Sequence, residues 1–263
     1  DAKFAWLLSI FRDRWKPFDF ASMGVLLAVL LEALRNPRLG FSRNLAFSAI
    51  VLCAVYLVLP RIIFGSAYAD MRLAPFLFAI ALLAIRFRAE THMRTARVLA
   101  ILGLAFFIVR VGSTTVSLAM SARDQQAKLQ ALDHVPMGAR VATFVGQGCV
   151  DYWAMPRNSH LGAMVIVRKH GFSNDQWQIA GSNLMIVRYT RPGPFKADPS
   201  EIVRTNSCKI RHTLKVDDAL RFVPRDAFDY VWVMDLPPHD ATLLDDMQLV
   251  WRGPGSALYR VKP

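Results

Sequence analysis

The sequence predicts an α-helical polytopic membrane region, about four transmembrane helices, followed by a small α/β soluble domain. Two observations predict it. Between residues 20 and 119 the acidic residues are Glu32, Asp70 and Glu90 alone, every Lys/Arg-type cation is an arginine, and the apolar runs are long. From residue 120 onward 18 basic residues stand against 14 acidic ones, and Pro, Gly and Asp break the apolar runs into short pieces. A mean hydropathy of +0.27 with 20% charged residues excludes disorder, which needs low hydrophobicity and high charge. Three cysteines exclude a disulfide-dense scaffold and a multi-cysteine zinc array. The chain starts at Asp1, without the order of a signal peptide, and reads as a piece of a longer protein.

Residues 1–17 place Phe4, Leu7, Leu8 and Phe11 at helical spacing, with basic residues after them. That suits a short interfacial helix, and a plain connector is the other reading. Residues 18–120 hold four apolar segments, 18–35, 43–63, 71–87 and 96–119. A spanning helix needs about 20 mostly apolar residues, and the bilayer forces the backbone to satisfy its own hydrogen bonds. The second and fourth segments meet that length; the first and third are short. Loops 35–43 and 86–97 carry Arg35, Arg38, Arg43, Arg86, Arg88, Arg94 and Arg97, against Arg12, Arg14, Lys16, Arg61 and Arg72 on the other side. The arginine-rich loops are then cytoplasmic, and residues 121–263 form an extracytoplasmic α/β domain.

In that domain 138–146, 160–169, 183–189 and 228–235 read as strands, and 216–223 and 240–247 as short helices with Asp240 as an N-cap. Pro254-Gly255 sets a terminal hairpin between MQLVWRG and SALYRV.

The turn 65–72 is the most informative spot. Arg72 suits a lipid phosphate, Tyr68 the headgroup level, and Asp70 a sugar hydroxyl or the arginine itself. An ordinary turn with an interfacial arginine and an acidic helix cap reads the same residues. Arg110 lies about 20 Å along its helix from Arg97, past the midplane. A charge there costs at least ~2.5 kcal/mol and is paired or faces a wet cavity. It either lines a cavity and meets an anionic lipid-linked substrate, snorkels outward, or pairs with an acid from helices missing from this chain. Cys149 and Cys208 fall in the outer domain, as a disulfide or as separate thiols. Phosphate-loop, dinucleotide and zinc signatures are missing, and the six histidines do not cluster at metal spacing. His160 and His170 read as residues flanking a strand, and Ser159-His160 beside Asp151 is not a triad signal. Gly146-Gln147-Gly148 reads as a turn after a strand. No metal, no cofactor and no nucleic acid are expected; much of the +12 charge sits at membrane ends.

The apolar segments, the stretch FGSAYADMRL and the tail FDYVWVMD…LVWRGPGSALYRV together resemble the C-terminal part of the multi-spanning bacterial glycosyltransferases of the GT-C type, and uncharacterised relatives in polysaccharide assembly. The resemblance implies an inner-membrane protein with a periplasmic domain. It implies sugar transfer from a polyprenyl-phosphate carrier to an extracytoplasmic acceptor, with the catalytic carboxylate in an outer loop that this chain does not match. Asp70 and Arg72 would then be substrate-side residues. The competing expectation is a non-catalytic, membrane-anchored component of polysaccharide assembly or export. Its outer domain would bind an envelope polysaccharide or protein partner.

Overall fold

The structure, a computed structural model, describes residues 2–63, 66–88, 93–149, 153–178, 184–210 and 212–262. Gly65 of the singled-out turn, His92, Asp151 and Asn183 lie outside the described residues. The chain divides into two units, residues 1–118 with 153–155, and residues 119–152 with 156–263.

The first unit contains α1 (Ala2–Leu8), α2 (Lys16–Arg35), β1 (Leu39–Phe41), α3 (Arg43–Val58), β2 (Ile62–Ile63), β3 (Ser66–Ala67), α4 (Ala69–Leu83), β4 (Ile85–Phe87) and the start of α5 (Met93–Leu129). Helix α2 opens with Pro17 in its first turn and Asp19 near the positive end of its dipole. It stops at Asn36, because Pro37 disfavours helical backbone in the residue before it. Helix α3 stops at Val58, two residues before Pro60. Its carboxyl end is closed from outside the helix. The Lys3 ammonium donates to the carbonyls of Tyr56, Leu57 and Leu59 at 2.7–2.8 Å, and the Tyr56 hydroxyl donates back to the Lys3 carbonyl at 2.5 Å. A cation there meets both the orphan carbonyls and the negative end of the dipole.

The four-span region expected from the sequence is not what forms. Two helices are long and apolar enough to cross a membrane, Lys16–Arg35 and the stretch Ala96–His134. The other two runs lose their ends to sheet. In 43–63, Pro60 ends the helix and Ile62–Ile63 pair antiparallel with Ser66–Ala67. In 71–87, Ile85–Phe87 pair antiparallel with Leu39–Phe41. Helices of 16 and 15 residues remain, about 24 and 22 Å long. An apolar run in sequence measures hydrophobicity, not helix length.

The second unit holds the rest of α5, then β5 (Arg140–Gln147), α6 (Met164–Lys169), β6 (Phe172–Ser173), β7 (Ile202–Arg204), β8 (Leu214–Lys215), α7 (Val216–Phe222), β9 (Tyr230–Met234), β10 (Met247–Gly253) and β11 (Ser256–Val261). One mixed sheet runs β10-β11-β9-β5-β7-β8, with β6 also on β5. The links β9/β5, β5/β6, β5/β7 and β7/β8 are parallel; β11/β9 and β10/β11 are antiparallel. Side chains alternate between faces, as the two-residue strand period requires. Ala142, Phe144, Val231 and Val233 pack with Val216 and Leu220 of α7 on one face. Val141, Val145, Trp232 and Met234 pack with Leu129, Leu132 and Val165 on the other. The result is three layers with a core on each side of the sheet.

Two expected strands are absent. Residues 161–169 form a 3-10 turn and then α6, and residues 184–189 carry no strand. Residues 241–244 form a 3-10 turn whose cap is Asp240, accepting from the Thr242 amide at 3.0 Å.

Candidate functional site

In the first unit, Tyr68 precedes α4 in the left-handed region, φ 64°. Its exposed ring meets Trp6 edge-on at 5.7 Å, and the Arg61 guanidinium lies 4.6 Å from its centroid. Arg72 is exposed one turn into α4. Asp70 is buried, and its carboxylate accepts from the Met71 amide at 2.9 Å. Tyr68 and Arg72 thus sit together at the amino-terminal end of one helix. Asp70 turns inward instead.

Arg110 is engaged elsewhere. Its guanidinium pairs with Asp19 at 2.7 Å, donates to the Phe11 carbonyl at 3.0 Å, and lies 5.1 and 4.9 Å from the Phe11 and Phe18 ring centroids. The acid that Arg110 pairs with is therefore in this chain, on α2, not on missing helices. Asp19 also accepts from the Asp13 amide at 2.9 Å and the Trp153 indole at 2.7 Å. A carboxylate with three donors and an arginine with aromatic faces on it is a satisfied buried pair, and removing either partner strands the other.

The second unit assembles a group the sequence did not announce. Strand β5 meets β6 along its first residues and β7 along its last, both on the same edge. The gap between them, at Thr143, is bridged by Asn174. Its carbonyl oxygen accepts from the Thr143 amide at 2.6 Å, and its amide donates to the Thr143 carbonyl at 3.2 Å and to the Ser200 hydroxyl at 3.1 Å. That bridge fixes the loop carrying Asp175 beside the loop carrying Asp198 and Glu201. Glu201 itself is held by its backbone, whose carbonyl accepts from the Val145 amide at 2.7 Å. His160 comes from the segment between β5 and α6, in a left-handed conformation, φ 64°. The turn after it lies directly on β5: a Cβ on Gly162 would come 2.5 Å from the Thr143 hydroxyl, so only glycine fits.

His160 Nδ1 lies 3.6 Å from Glu201 and 3.9 Å from Asp198. One donor atom from each of the three lies within 4.8 Å of the others. The His160 side chain is 46% exposed and Glu201 0%. Among the described residues, neither oxygen of Glu201 and neither oxygen of Asp175 makes a well-formed hydrogen bond; Asp175 has looser contacts with Ser173 and the Ala163 backbone, and Glu201 with Asp198. Burial raises the pKa of Glu201, and neighbouring Asp198 adds to the rise. Burial likewise raises Asp175. The Trp177 ring packs edge-on against His160 at 6.2 Å. Asp198 also lines an open groove of about 1070 Å³, with Leu184, Ile186, Phe195, Arg204 and His212 around it.

A buried cation of this unit serves the fold. Lys128, buried, meets Asp124 at 2.5 Å and Asp235 at 3.3 Å, which ties the end of α5 to the end of β9. Gly146 packs on the Asp235 backbone so closely that a Cβ would stand 2.0 Å from its carbonyl oxygen; the glycine serves packing there. Cys149 and Cys208 form a disulfide, Cα atoms 5.4 Å apart, just past the ends of the neighbouring strands β5 and β7. Closing that 59-residue separation stabilises the unit by about 2–4 kcal/mol.

Sequence reasoning singled out His160 only to place it beside a strand, and it passed over Asp175, Asp198 and Glu201. The one local signal was an acid, Glu201, immediately before a β-branched pair in a short strand, a position that a strand core buries. Comparison of the chain with protein-family models, with curated proteins and with solved structures finds no match.

Proposed function

We propose that the chain is a protein of the bacterial inner membrane that takes part in moving a sugar from a lipid-phosphate carrier to an acceptor outside the cytoplasm, with residues 121–263 on the periplasmic side. The observation that carries the reading is the surface of α5. Its most apolar 18-residue stretch contains no buried residue, and Ile101, Leu102, Leu104, Phe107, Ile108 and Val109 all stand exposed. The core helix of a water-soluble protein buries such a stretch; a helix in hydrocarbon need not. Arg61 over Trp6 and Tyr68, and Arg12 over Trp153, pair cations with aromatic rings of the kind found where membrane meets water. The Cys149–Cys208 bridge suits an oxidising compartment.

The carrier's phosphate belongs at Tyr68 and Arg72. Arg72 is exposed and enters none of the ion pairs among the described residues, and the amino-terminal end of α4 adds its dipole. Arg110 contributes to helix packing, since its charge is already met by Asp19. The test is binding of a short polyprenyl phosphate to the full chain in nanodiscs. Arg72→Glu is expected to weaken it at least tenfold with the fold retained; unchanged affinity contradicts the reading. A second reading is favoured by the groove beside Asp198: a membrane-anchored binding module whose outer unit holds a polysaccharide or protein partner. It stands if the wild-type chain enters membranes but binds no carrier.

A further inference from the structure

We propose that His160, Asp198 and Glu201 form a binding site for one divalent transition-metal ion of the Zn²⁺ or Mn²⁺ kind. The site lies wholly within the second unit and does not depend on the membrane reading.

Three features carry it. The first is donor geometry. Atoms ligating one ion at about 2.1 Å lie up to about 4.2 Å apart. His160 Nδ1 is already within 3.6 Å of Glu201 and 3.9 Å of Asp198, and the full set lies within 4.8 Å. Small side-chain adjustments close it. The second is an unmet need. Glu201 is completely buried, neither of its oxygens makes a well-formed hydrogen bond among the described residues, and what its carboxyl meets is the carboxyl of Asp198 and its own backbone. Buried carboxylates are ordinarily hydrogen-bonded, paired or bound to metal. The same unit shows how it treats a buried charge it means to satisfy internally: Lys128 has two aspartates on it. Glu201 instead faces a half-exposed imidazole and two more acids, Asp198 and Asp175. The third is support behind the ligands. Asn174 and Ser200 lock the two acidic loops to Thr143, and Trp177 packs on the His160 ring. Such outer contacts hold ligands in place around an ion.

The donor chemistry selects the ion. Imidazole suits Zn²⁺ and its neighbours, and carboxylates suit harder ions such as Mn²⁺ and Mg²⁺. One imidazole with two carboxylates favours Zn²⁺ and Mn²⁺ over Ca²⁺ and Mg²⁺. Two carboxylates balance the charge of the ion, and three protein ligands leave a coordination position open.

The experiment uses the full chain without an affinity tag, purified in detergent and stripped by a chelator. Titration calorimetry with Zn²⁺ and with Mn²⁺ is expected to show one equivalent bound for at least one of them, at least tenfold tighter than Mg²⁺ or Ca²⁺. Co²⁺ is expected to give visible absorption bands from the same site. Glu201→Gln, which keeps the side-chain shape, and His160→Ala, at a half-exposed position, are each expected to weaken binding tenfold or more and to abolish the Co²⁺ bands. His239→Ala, away from the site, is expected to change nothing. Absence of stoichiometric binding in the wild type overturns the proposal. So does binding that both the His160 and Glu201 variants retain. Should Glu201→Gln fail to fold, the His160 variant and the Co²⁺ spectrum decide the matter alone.

Discussion

The two units handle apolar side chains in opposite ways. In the second, the large ones go inward: Trp232 is 0% exposed, with Phe144, Leu220 and Leu258 equally enclosed on the two faces of the sheet. In the first, many large apolar side chains stand exposed, while a smaller interior mixes apolar groups such as Met23, Leu26, Tyr56 and Leu77 with polar and charged ones. Asp13, Asp19, Ser22, Asp70 and Ser117 are buried, whereas Phe47, Ile50, Phe76 and Phe107 stand out. The proposed membrane setting accounts for the difference by giving the two units different solvents. Water drives apolar area inward at roughly 25 cal/mol per Å². Hydrocarbon offers no such force and leaves polar groups to find one another; under the proposed reading the Arg110–Asp19 pair meets that need.

The largest effect expected from that contrast is on truncation of a ring. Trp232→Ala removes a fully enclosed indole and its hydrogen bond to Ser256, and should cost the second unit about 3–5 kcal/mol. Phe107→Ala removes a ring that is 61% exposed, and should change the melting of the second unit by no more than about 0.5 kcal/mol. Thermal unfolding of both variants in detergent measures the difference; equal losses would break the contrast.

The smallest effect is electrostatic. Arg140 donates to Asp229 through Nε and Nη2 at the start of β5, and these hydrogen bonds hold the Asp229 carboxyl below its ordinary range. A folded pKa below the unfolded one, about 3.9, means stability that is fully present above that value and lost as pH falls through the lowered one. With side chains 35% and 37% exposed, solvent screens the pair, and the contribution is under about 1 kcal/mol. Asp229→Asn should flatten the acid limb of the stability profile by that amount. A steeper loss would mean the pair is worth more than its exposure allows.

Local signals carried much of the second unit. The all-buried run Tyr230–Met234, the Pro254-Gly255 hairpin, the helix 216–222 and the Asp240 cap are each written in a few consecutive residues. Residues 160–169 were misleading because Val165, Ile166 and Val167 favour strands, yet the turn at Gly162 is pinned to Thr143 and starts a helix. Tertiary packing overrode propensity there. The four-span expectation failed for a related reason: hydropathy does not register where Pro60 stops a helix or where Ile85–Phe87 finds a partner strand. The group His160, Asp198 and Glu201 had no spacing to betray it. Pairing of β5 with β7 places Asp198 and Glu201, and the Gly162 turn packed on Thr143 brings His160 to them; sequence distance carries no mark of either contact. Arg110 did signal a partner, but not which acid would supply it.

The contrast rests on lipid covering the apolar faces of the first unit. Phase separation of the full chain in a cloud-point detergent tests it most directly. The protein should leave with the detergent-rich phase; recovery from the aqueous phase as a monodisperse monomer would contradict the account.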